Sequence, residues 1–320
     1  MNSPAARSDV IAPVNRAWEH MQQLLFRPFD LARWLAIGFT AWLATLGQTW
    51  GGGGGGGGNF QGNGRWNGGF DIGESTRQVR EWVSDNLLWL VPTVLVVGIL
   101  VVTIWLVVLW LSSRGQFMFL HNVVTARADV VAPWNAYSAH GNSLFVFRLV
   151  VALVSVVAAL PILTAGAWAG YQLMEQEGSR PIALAVMGVS ALVIGGLGLG
   201  YVVVGKLTRD FVVPIMWQRT ASCRAGWSIF LGLARDSFGP LILYFIVQMV
   251  LWIAAGILIV ALVLVTCCMA GCIIALPYLG TVLLLPVEVF FRSYSLQVLA
   301  QQGAEWDLFR SANAERFRNA

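Results

Sequence analysis

The chain has 320 residues, of which 57% are hydrophobic and only 11% are charged. Soluble domains carry about 25% charged residues, so this composition excludes a water-soluble globular protein. The formal net charge of +4 comes from twenty Lys and Arg against sixteen Asp and Glu. Because the basic residues stand beside long apolar runs, orientation in a membrane explains them better than nucleic-acid binding does.

The N-terminal segment 10–27 predicts an amphipathic helix and not a signal peptide, because charged residues interrupt it. Its apolar residues share one helical face: Val10, Val14, Trp18, Met21 and Leu25. A central Trp suits a helix that lies in the membrane–water interface. A cytosolic helix packed on the rest of the protein fits the pattern equally well. Pro28 ends this helix, and Asp30 is the predicted N-cap of the next.

Six apolar segments follow, and each is of the length that crosses a hydrocarbon layer of ~30 Å. We predict transmembrane helices over 31–48, 87–112, 143–173 and 182–205, and two more within 238–299. The turn between the last two is expected near Cys267, Cys268 and Cys272. The sequence therefore predicts an all-α membrane protein in which residues 1–320 form a single integral membrane domain.

Residues 49–73 form a glycine-rich segment of low complexity that includes eight consecutive Gly. Glycine-rich chain behaves as a flexible coil, so we expect a disordered loop outside the cell. A phosphate-binding loop would need a preceding strand, a following helix and a Lys or Ser/Thr at fixed spacing, and none of these is present. Residues 301–320 are expected to form a polar C-terminal tail.

The basic residues predict the orientation of the chain. With six spans, both termini and the loops after the second and fourth spans lie on one side. Only four of the twenty Lys and Arg then fall on the other side: Arg65, Arg77, Arg80 and Arg180. Because basic residues favour the cytoplasmic side, we expect cytoplasmic termini in the inner membrane of a bacterial cell.

A repeated spacing predicts three related units. Trp18, Trp134 and Trp227 each stand eleven residues before a Phe that begins the next span. Removing the 23 residues 51–73 makes the two steps between these Trp residues equal. We therefore predict three parallel hairpins, roughly 10–112, 113–205 and 206–300, each preceded by a cytoplasmic interfacial amphipathic helix. Coincidence in a Trp-rich chain and a second register for the middle unit, which aligns 12–15 with 132–135, both stay open.

The charged and aromatic residues at the ends of the spans are the candidate functional residues. Glu288 is the one carboxylate well inside the sixth span, and acids in spans are candidates for function. Arg292 follows four residues later, which is the favourable order for a helical ion pair, so structural pairing is the preferred interpretation over proton or substrate chemistry. The predicted interfacial anchors are Trp18, Trp134, Trp227, Arg114, Arg209 and Asp210.

The sequence predicts no catalytic residue, no cofactor and no metal ion. Cys267, Cys268 and Cys272 cluster at an outer turn, but zinc sites combine paired Cys with His or further Cys. The three His residues are all assigned to the opposite side of the membrane. Packing is therefore the preferred role of these thiols, and a disulfide within the cluster stays open because that compartment is oxidising.

Four segments carry a resemblance to a known group of proteins. They read PFDLARWLAIGFTAWLA, SRGQFMFLHNVV, DFVVPIM and TCCMAGCIIALPYLGTVLLLPVEVFFRSYSLQVLAQ. The chain resembles an uncharacterised bacterial family of multi-pass membrane proteins. More distantly, its Trp-bearing helices before apolar hairpins resemble the membrane region fused to some glycerophosphodiester phosphodiesterases. The resemblance implies an all-helical fold in a bacterial cell membrane, and it brings no catalytic residue.

Three functional hypotheses follow. The first is a non-enzymatic membrane-organising or partner-binding protein, whose candidate partners are membrane lipids, other membrane proteins or a second copy of the chain. The second is a small-molecule or lipid transporter, for which Pro161, Glu288 and the glycine-rich fourth span are the motivation. The third is a membrane enzyme that modifies lipids. The sequence alone identifies neither a substrate nor an oligomeric state.

Overall fold

The computed structural model describes residues 11–49, 82, 85–175, 180–266 and 269–312. These residues fold into helices, and none of them lies in a strand. The polyglycine segment, Cys267 and Cys268 lie outside the described residues, and what the sequence indicates for them stays a prediction.

The α-helices that position the site are as follows. They are α1 Ile11–Leu25, α2 Leu31–Thr49, α3 Leu87–Thr125, α4 Val131–Ala136, α5 Ser138–Glu175, α6 Arg180–Leu207, α7 Val213–Arg219, α8 Cys223–Asp236, α9 Phe238–Val265, α10 Met269–Ala275, α11 Pro277–Leu283 and α12 Leu285–Ala300. A π turn over Thr208–Val212 joins α6 to α7, and a 3-10 turn over Ala304–Trp306 follows α12.

Polar side chains cap two of the helix starts. The Asp30 carboxylate accepts hydrogen bonds from the backbone N–H groups of Ala32 at 2.9 Å and Arg33 at 3.5 Å. This geometry confirms Asp30 as the N-cap of α2, since the cap satisfies N–H groups that have no partner inside the helix. Ser222 accepts from the N–H of Ala225 in the same way and begins α8.

Four helices are long and apolar enough to cross a membrane, where six were expected. They are α3, α5, the continuous α6–α7 segment and α9. A fifth is present if α11 and α12, which meet at a bend of 64°, form one broken span. The apolar part of α2 is shorter, over Leu31–Leu46. The chain is thus an all-helical membrane-type protein with four or five long apolar helices.

Helix α2 lies beside the C-terminal third of α3 and not beside the apolar start of that helix. The guanidinium of Arg33 donates to the carbonyl of Ala126 at 2.7 Å, and the Ser112 hydroxyl donates to the carbonyl of Ala44 at 3.0 Å. A Cβ added to Gly115 would come within 2.6 Å of the Ala44 nitrogen. Glycine therefore allows the two antiparallel backbones to approach closely.

The buried core occupies one end of the long helices. In α3 the buried residues run from Leu109 to Val124, and the preceding apolar part of the helix is exposed. The same core takes in α1, the π turn with α7, the start of α8 and most of α12. The long helices therefore extend as apolar arms from a compact helical end, which we call the cap.

The apolar faces of α1 and α8 are covered by the cap itself. Met21, Leu24 and Leu25 of α1 are buried, as are Cys223 and Phe230 of α8. Of the two interpretations of α1, this packing corresponds to a helix that lies on the protein. Trp18, on the same stripe, is half exposed, so protein covers only part of the predicted apolar face.

The helix before each predicted hairpin packs on the end of another hairpin. Trp18 of α1 contacts Phe290 of α12, with ring centroids 6.2 Å apart. Gly141, near the start of α5, lies against Arg114 of α3, and Gly226 of α8 lies against Val212 and Met216. Along the chain, α5 meets the C-terminal part of α3, α8 meets the segment that continues α6, and α1 meets the last helix.

Two local predictions differ from the structure. The sequence after the second span predicts a helix that continues to Pro133, but α3 ends at Thr125, where Ala126 adopts a left-handed conformation with φ 50°. Pro133 instead lies in the first turn of α4, where a missing N–H costs nothing. The spacing of Gly196 and Gly200 predicts a close helix contact in lipid, yet a Cβ at either position would meet no atom of the described chain within 4 Å.

Candidate functional site

A buried polar cluster lies where the apolar arms meet the cap, and we call it the polar junction. Charged groups are costly to bury without a partner, and water is scarce where the cap meets the apolar helices. Charged groups at this boundary therefore need partners inside the protein. Its members come from five helices: Ser112, Ser113, Arg148, Lys206, Arg209, Asp210, Tyr244, Glu288 and Arg292.

Pro214 explains the π turn at the centre of this junction. In an α-helix the ring of Pro214 would clash with the carbonyl of Asp210, four residues earlier. The chain inserts a π turn, in which the N–H of Val213 bonds to the carbonyl of Thr208. The carbonyl of Arg209 thereby loses its α-helical donor, the N–H of Val213, and its π partner would be the N–H that Pro214 lacks. The Arg292 side chain supplies the donor through Nη1.

The side chain of Arg209 holds a second contact with α12. Its Nη2 donates to Oε2 of Glu288 at 2.7 Å, and both side chains are about one-fifth exposed. Charge-assisted bonds of this length are among the stronger hydrogen bonds in proteins. Glu288 and Arg292 therefore do not pair with each other as the sequence predicted; they both bind residue 209, through its side chain and its carbonyl.

Asp210 ties the same turn to α9. The buried Tyr244 hydroxyl donates to Oδ2 of Asp210 at 2.8 Å, and Nζ of Lys206 lies 3.6 Å from the same oxygen. The Tyr244 ring also stacks on Tyr294 of α12, at 5.5 Å and an angle of 11°. Two successive residues of the π turn thus fix the positions of α9 and α12.

Arg148 extends the junction toward the first hairpin. Its Nη1 donates to the hydroxyls of Ser112 at 3.3 Å and Ser113 at 3.5 Å. The Gln116 amide bonds to the carbonyl of Ala44 at 2.9 Å, beside the Ser112 bond described above. A continuous set of polar contacts therefore links α2 and α3 to α5.

The junction carries more positive than negative charge. Its cations are Arg148, Lys206, Arg209 and Arg292, and its anions are Asp210 and Glu288. Arg292 is almost completely buried, and within the described chain its Nε and Nη2 have no hydrogen-bond partner. The carboxylates form ion pairs with cations and a hydrogen bond with the Tyr244 hydroxyl. The arrangement therefore resembles a set of polar contacts between helices more than an acid–base pair.

The predicted aromatic and basic anchors lie in separate parts of the cap. The guanidinium of Arg114 lies over the rings of Trp110 at 4.4 Å and Trp134 at 5.0 Å, a cation–π arrangement. Trp227 packs on Phe147, with centroids 5.8 Å apart. Trp18 is the one that remains about half exposed. Arg209 and Asp210 belong to the polar junction, and the structure does not bring these anchors into one site.

Residues 9–285 match DUF7544, a family of unknown function. The chain belongs to this family. No curated protein and no solved structure matches it. Membership of DUF7544 agrees with the resemblance to an uncharacterised family, and the distant resemblance to phosphodiesterase membrane regions stays a prediction.

Sequence reasoning missed several members of the junction in this DUF7544 protein. Tyr244 looked like any aromatic residue in the first turns of an apolar span, and Lys206 looked like a residue at a span exit. The available signal was Pro214, because a proline just after a span predicts an orphaned carbonyl and therefore a side-chain donor from another helix. Which helix supplies that donor is not encoded locally.

The described residues contain no group of three or more His, Cys, Asp and Glu placed to hold a metal ion. Burial raises the pKa of the Cys223 thiol to about 12, and the nearby Arg148 offsets only part of that increase. A thiol that stays protonated is a poor nucleophile and a poor metal ligand. Cys223 therefore serves the packing of α8, where its backbone N–H bonds to the Ser143 hydroxyl at 3.0 Å.

Proposed function

We propose that this DUF7544 protein is a non-enzymatic scaffold of the membrane, whose apolar helices bind partner spans while the cap and the polar junction hold them in place. One observation carries the proposal. In the apolar 18-residue stretch of each of the four long helices, only 6% to 11% of the residues are buried within the chain. The cap, in contrast, is closely packed.

The contrast between the two regions supports this assignment. Lipid can cover the apolar arms. The polar junction at their base also fixes the positions of the arms relative to one another, and covering by lipid does not require such fixed positions. The faces of α1 and α8 are already used inside the cap. The surface that remains for partners is therefore that of the arms, including the glycine-rich face of α6.

The proposal includes six passages in a bacterial inner membrane, with both termini in the cytoplasm and three related hairpins. The charge distribution along the sequence favours this orientation. The spacing of Trp18, Trp134 and Trp227, which becomes equal once residues 51–73 are removed, supports three related units.

The other two hypotheses have less support. A transporter needs polar groups along a path through the bilayer, whereas the groove between α5 and α6 is lined by apolar residues apart from Ser190. A lipid-modifying enzyme needs an accessible acid, base or nucleophile, and the junction carboxylates are engaged in ties between helices.

Site-specific photo-crosslinking in native membranes tests the scaffold proposal. A photoreactive residue at exposed Leu192 of α6 or Leu258 of α9 should give a crosslinked product of one defined mass. The matched control is Val289, which is buried in the core and should crosslink only within the chain. Crosslinks to lipid alone at both exposed positions would contradict the proposal.

A further inference from the structure

The contacts around Pro214 have a consequence for motion, which does not depend on the proposed function. We propose that residues 208–214 form a latch with two hydrogen-bond registers. In the π register, which the structure shows, the latch holds α9 and α12 against α6. In an α register it releases them.

In the π register two neighbouring residues make three polar contacts with α9 and α12, which we call the ties. Arg209 uses its side chain on Glu288 and its carbonyl on Arg292, and Asp210 uses its carboxylate on Tyr244. All three partners belong to α9 or α12. The position of the third hairpin therefore depends on how these two residues are oriented about the helix axis.

A change to the α register would break all three ties together. The N–H of Val213 would move from the carbonyl of Thr208 to that of Arg209, where it would compete with Arg292 for the same oxygen. Loss of the extra residue in the turn also rotates the two flanking helical segments by about 100° relative to each other, since 3.6 residues make one turn. Arg209 and Asp210 could then no longer face α12 and α9 while α7 stays in the core.

Opposing costs keep the two registers close in free energy. The α register brings the Pro214 ring against the carbonyl of Asp210. The π register keeps Arg292 buried with Nε and Nη2 unpartnered within the described chain, which is also unfavourable. Elements with two discrete arrangements of similar free energy are the ones that switch, and π turns inside α-helices are frequent at functional positions.

Distance measurements between α6 and α9 test the latch. Spin labels are placed on cysteines introduced at exposed Leu199 and Met249, in the full chain with its four native cysteines replaced by Ser. This background should give one narrow distance distribution. Pro214→Ala removes the obstacle to the α register and should add a second population displaced by several ångströms. Arg292→Gln shortens this side chain and removes its charge, which weakens the contact with the Arg209 carbonyl, and it should act in the same direction.

Pro92→Ala is the matched control, because Pro92 is an exposed helix proline in α3. It should leave the α6–α9 distance unchanged. An unchanged distribution in Pro214→Ala would overturn the latch, and so would an equal shift in Pro92→Ala. If Arg292→Gln does not fold, Pro214→Ala decides the question alone.

Discussion

At the scale of single residues, prolines in the apolar helices create acceptors that side chains of other helices satisfy. Pro214 leaves the carbonyl of Arg209 to Arg292. Pro286 has no N–H for the carbonyl of Val282, four residues earlier, and the Trp34 indole donates to that carbonyl at 3.0 Å. In both cases a local defect of the helix becomes a specific contact between helices, because a buried carbonyl without a donor is costly.

The ion pair of the polar junction gives a test at this scale. A double-mutant cycle with Arg209→Gln and Glu288→Gln should give a coupling free energy of roughly 0.5–3 kcal/mol, measured by unfolding in detergent. The cycle of Glu288→Gln with Arg292→Gln should give a smaller value, because those two side chains form no ion pair. A larger coupling free energy for the second cycle would show that Glu288 pairs with Arg292 and not with Arg209.

The sequence identified Glu288 as a residue of interest but predicted the wrong partner for it. A helical pairing rule considers only residues three or four positions away, and Arg292 satisfied that rule. The observed partner is 79 residues away, and it became available because Pro214 reshaped the turn that carries it. Tertiary contacts of this kind depend on backbone geometry that no local pattern contains.

At the scale of helices, the glycines have different roles that their spacing does not reveal. Gly115 lets α3 approach the backbone of α2, and Gly226 lets α8 approach α7. The Gly196–Gly200 pair has the spacing of a packing motif, yet it faces away from the described chain. Spacing therefore predicts a small-residue face but not what lies against it.

Alanine substitutions at these glycines should have opposite effects on stability. Gly115→Ala places a methyl group against the Ala44 backbone, and we expect it to cost about 1–3 kcal/mol of unfolding free energy. Gly200→Ala meets no neighbour, so it should be neutral or stabilise by up to about 1 kcal/mol. Thermal unfolding in one detergent compares the two. Equal destabilisation by both variants would mean that α2 and α3 are not in close contact.

The attachment of α1 to the cap should depend on pH through His20. Its Nε2 lies 2.9 Å from the carbonyl of Val123, and its ring contacts Phe309 at 4.5 Å. Burial lowers the pKa of His20 from its ordinary value of 6.5, and the contact with Val123 offsets part of this effect. The unfolded segment therefore binds a proton more readily than the folded one.

The stabilisation from a neutral His20 should be complete above pH 6.5 and should decrease as pH falls from there through the lower pKa of the folded protein. Hydrogen exchange of α1 should accelerate over that interval. His20→Gln cannot titrate there and should remove the pH dependence of α1. Persistence of the same pH dependence in this variant would assign it to another group.

At the scale of the whole molecule, composition and span length were sufficient to predict an all-helical membrane-type protein. The number of spans did not follow from composition in the same way, since the six predicted apolar segments correspond to four or five long apolar helices. Segment 31–48 has the composition of a span, but α2 packs beside the buried third of α3. Apolar composition predicts burial in either lipid or protein, and the sequence does not distinguish the two.

Accessibility to a membrane-impermeant maleimide tests the proposed orientation. In the cysteine-free background, Arg180→Cys should react in intact cells, because it lies at the turn assigned to the outside. Arg127→Cys should react only after the membrane is disrupted, since it follows α3 at the cap. The reverse pattern would place the cap outside the cell and would contradict the assignment based on charge.

The contact between α1 and α12 also sets an order of events during synthesis. The Trp18–Phe290 contact joins residues about 270 positions apart, and ribosomes add roughly 5–20 residues per second. The first helix therefore waits roughly 15 to 50 s for its partner. Until then only the lipid surface or a chaperone can cover its apolar side chains. An amphipathic helix that is packed against protein in the folded chain must therefore first be stable at the membrane surface.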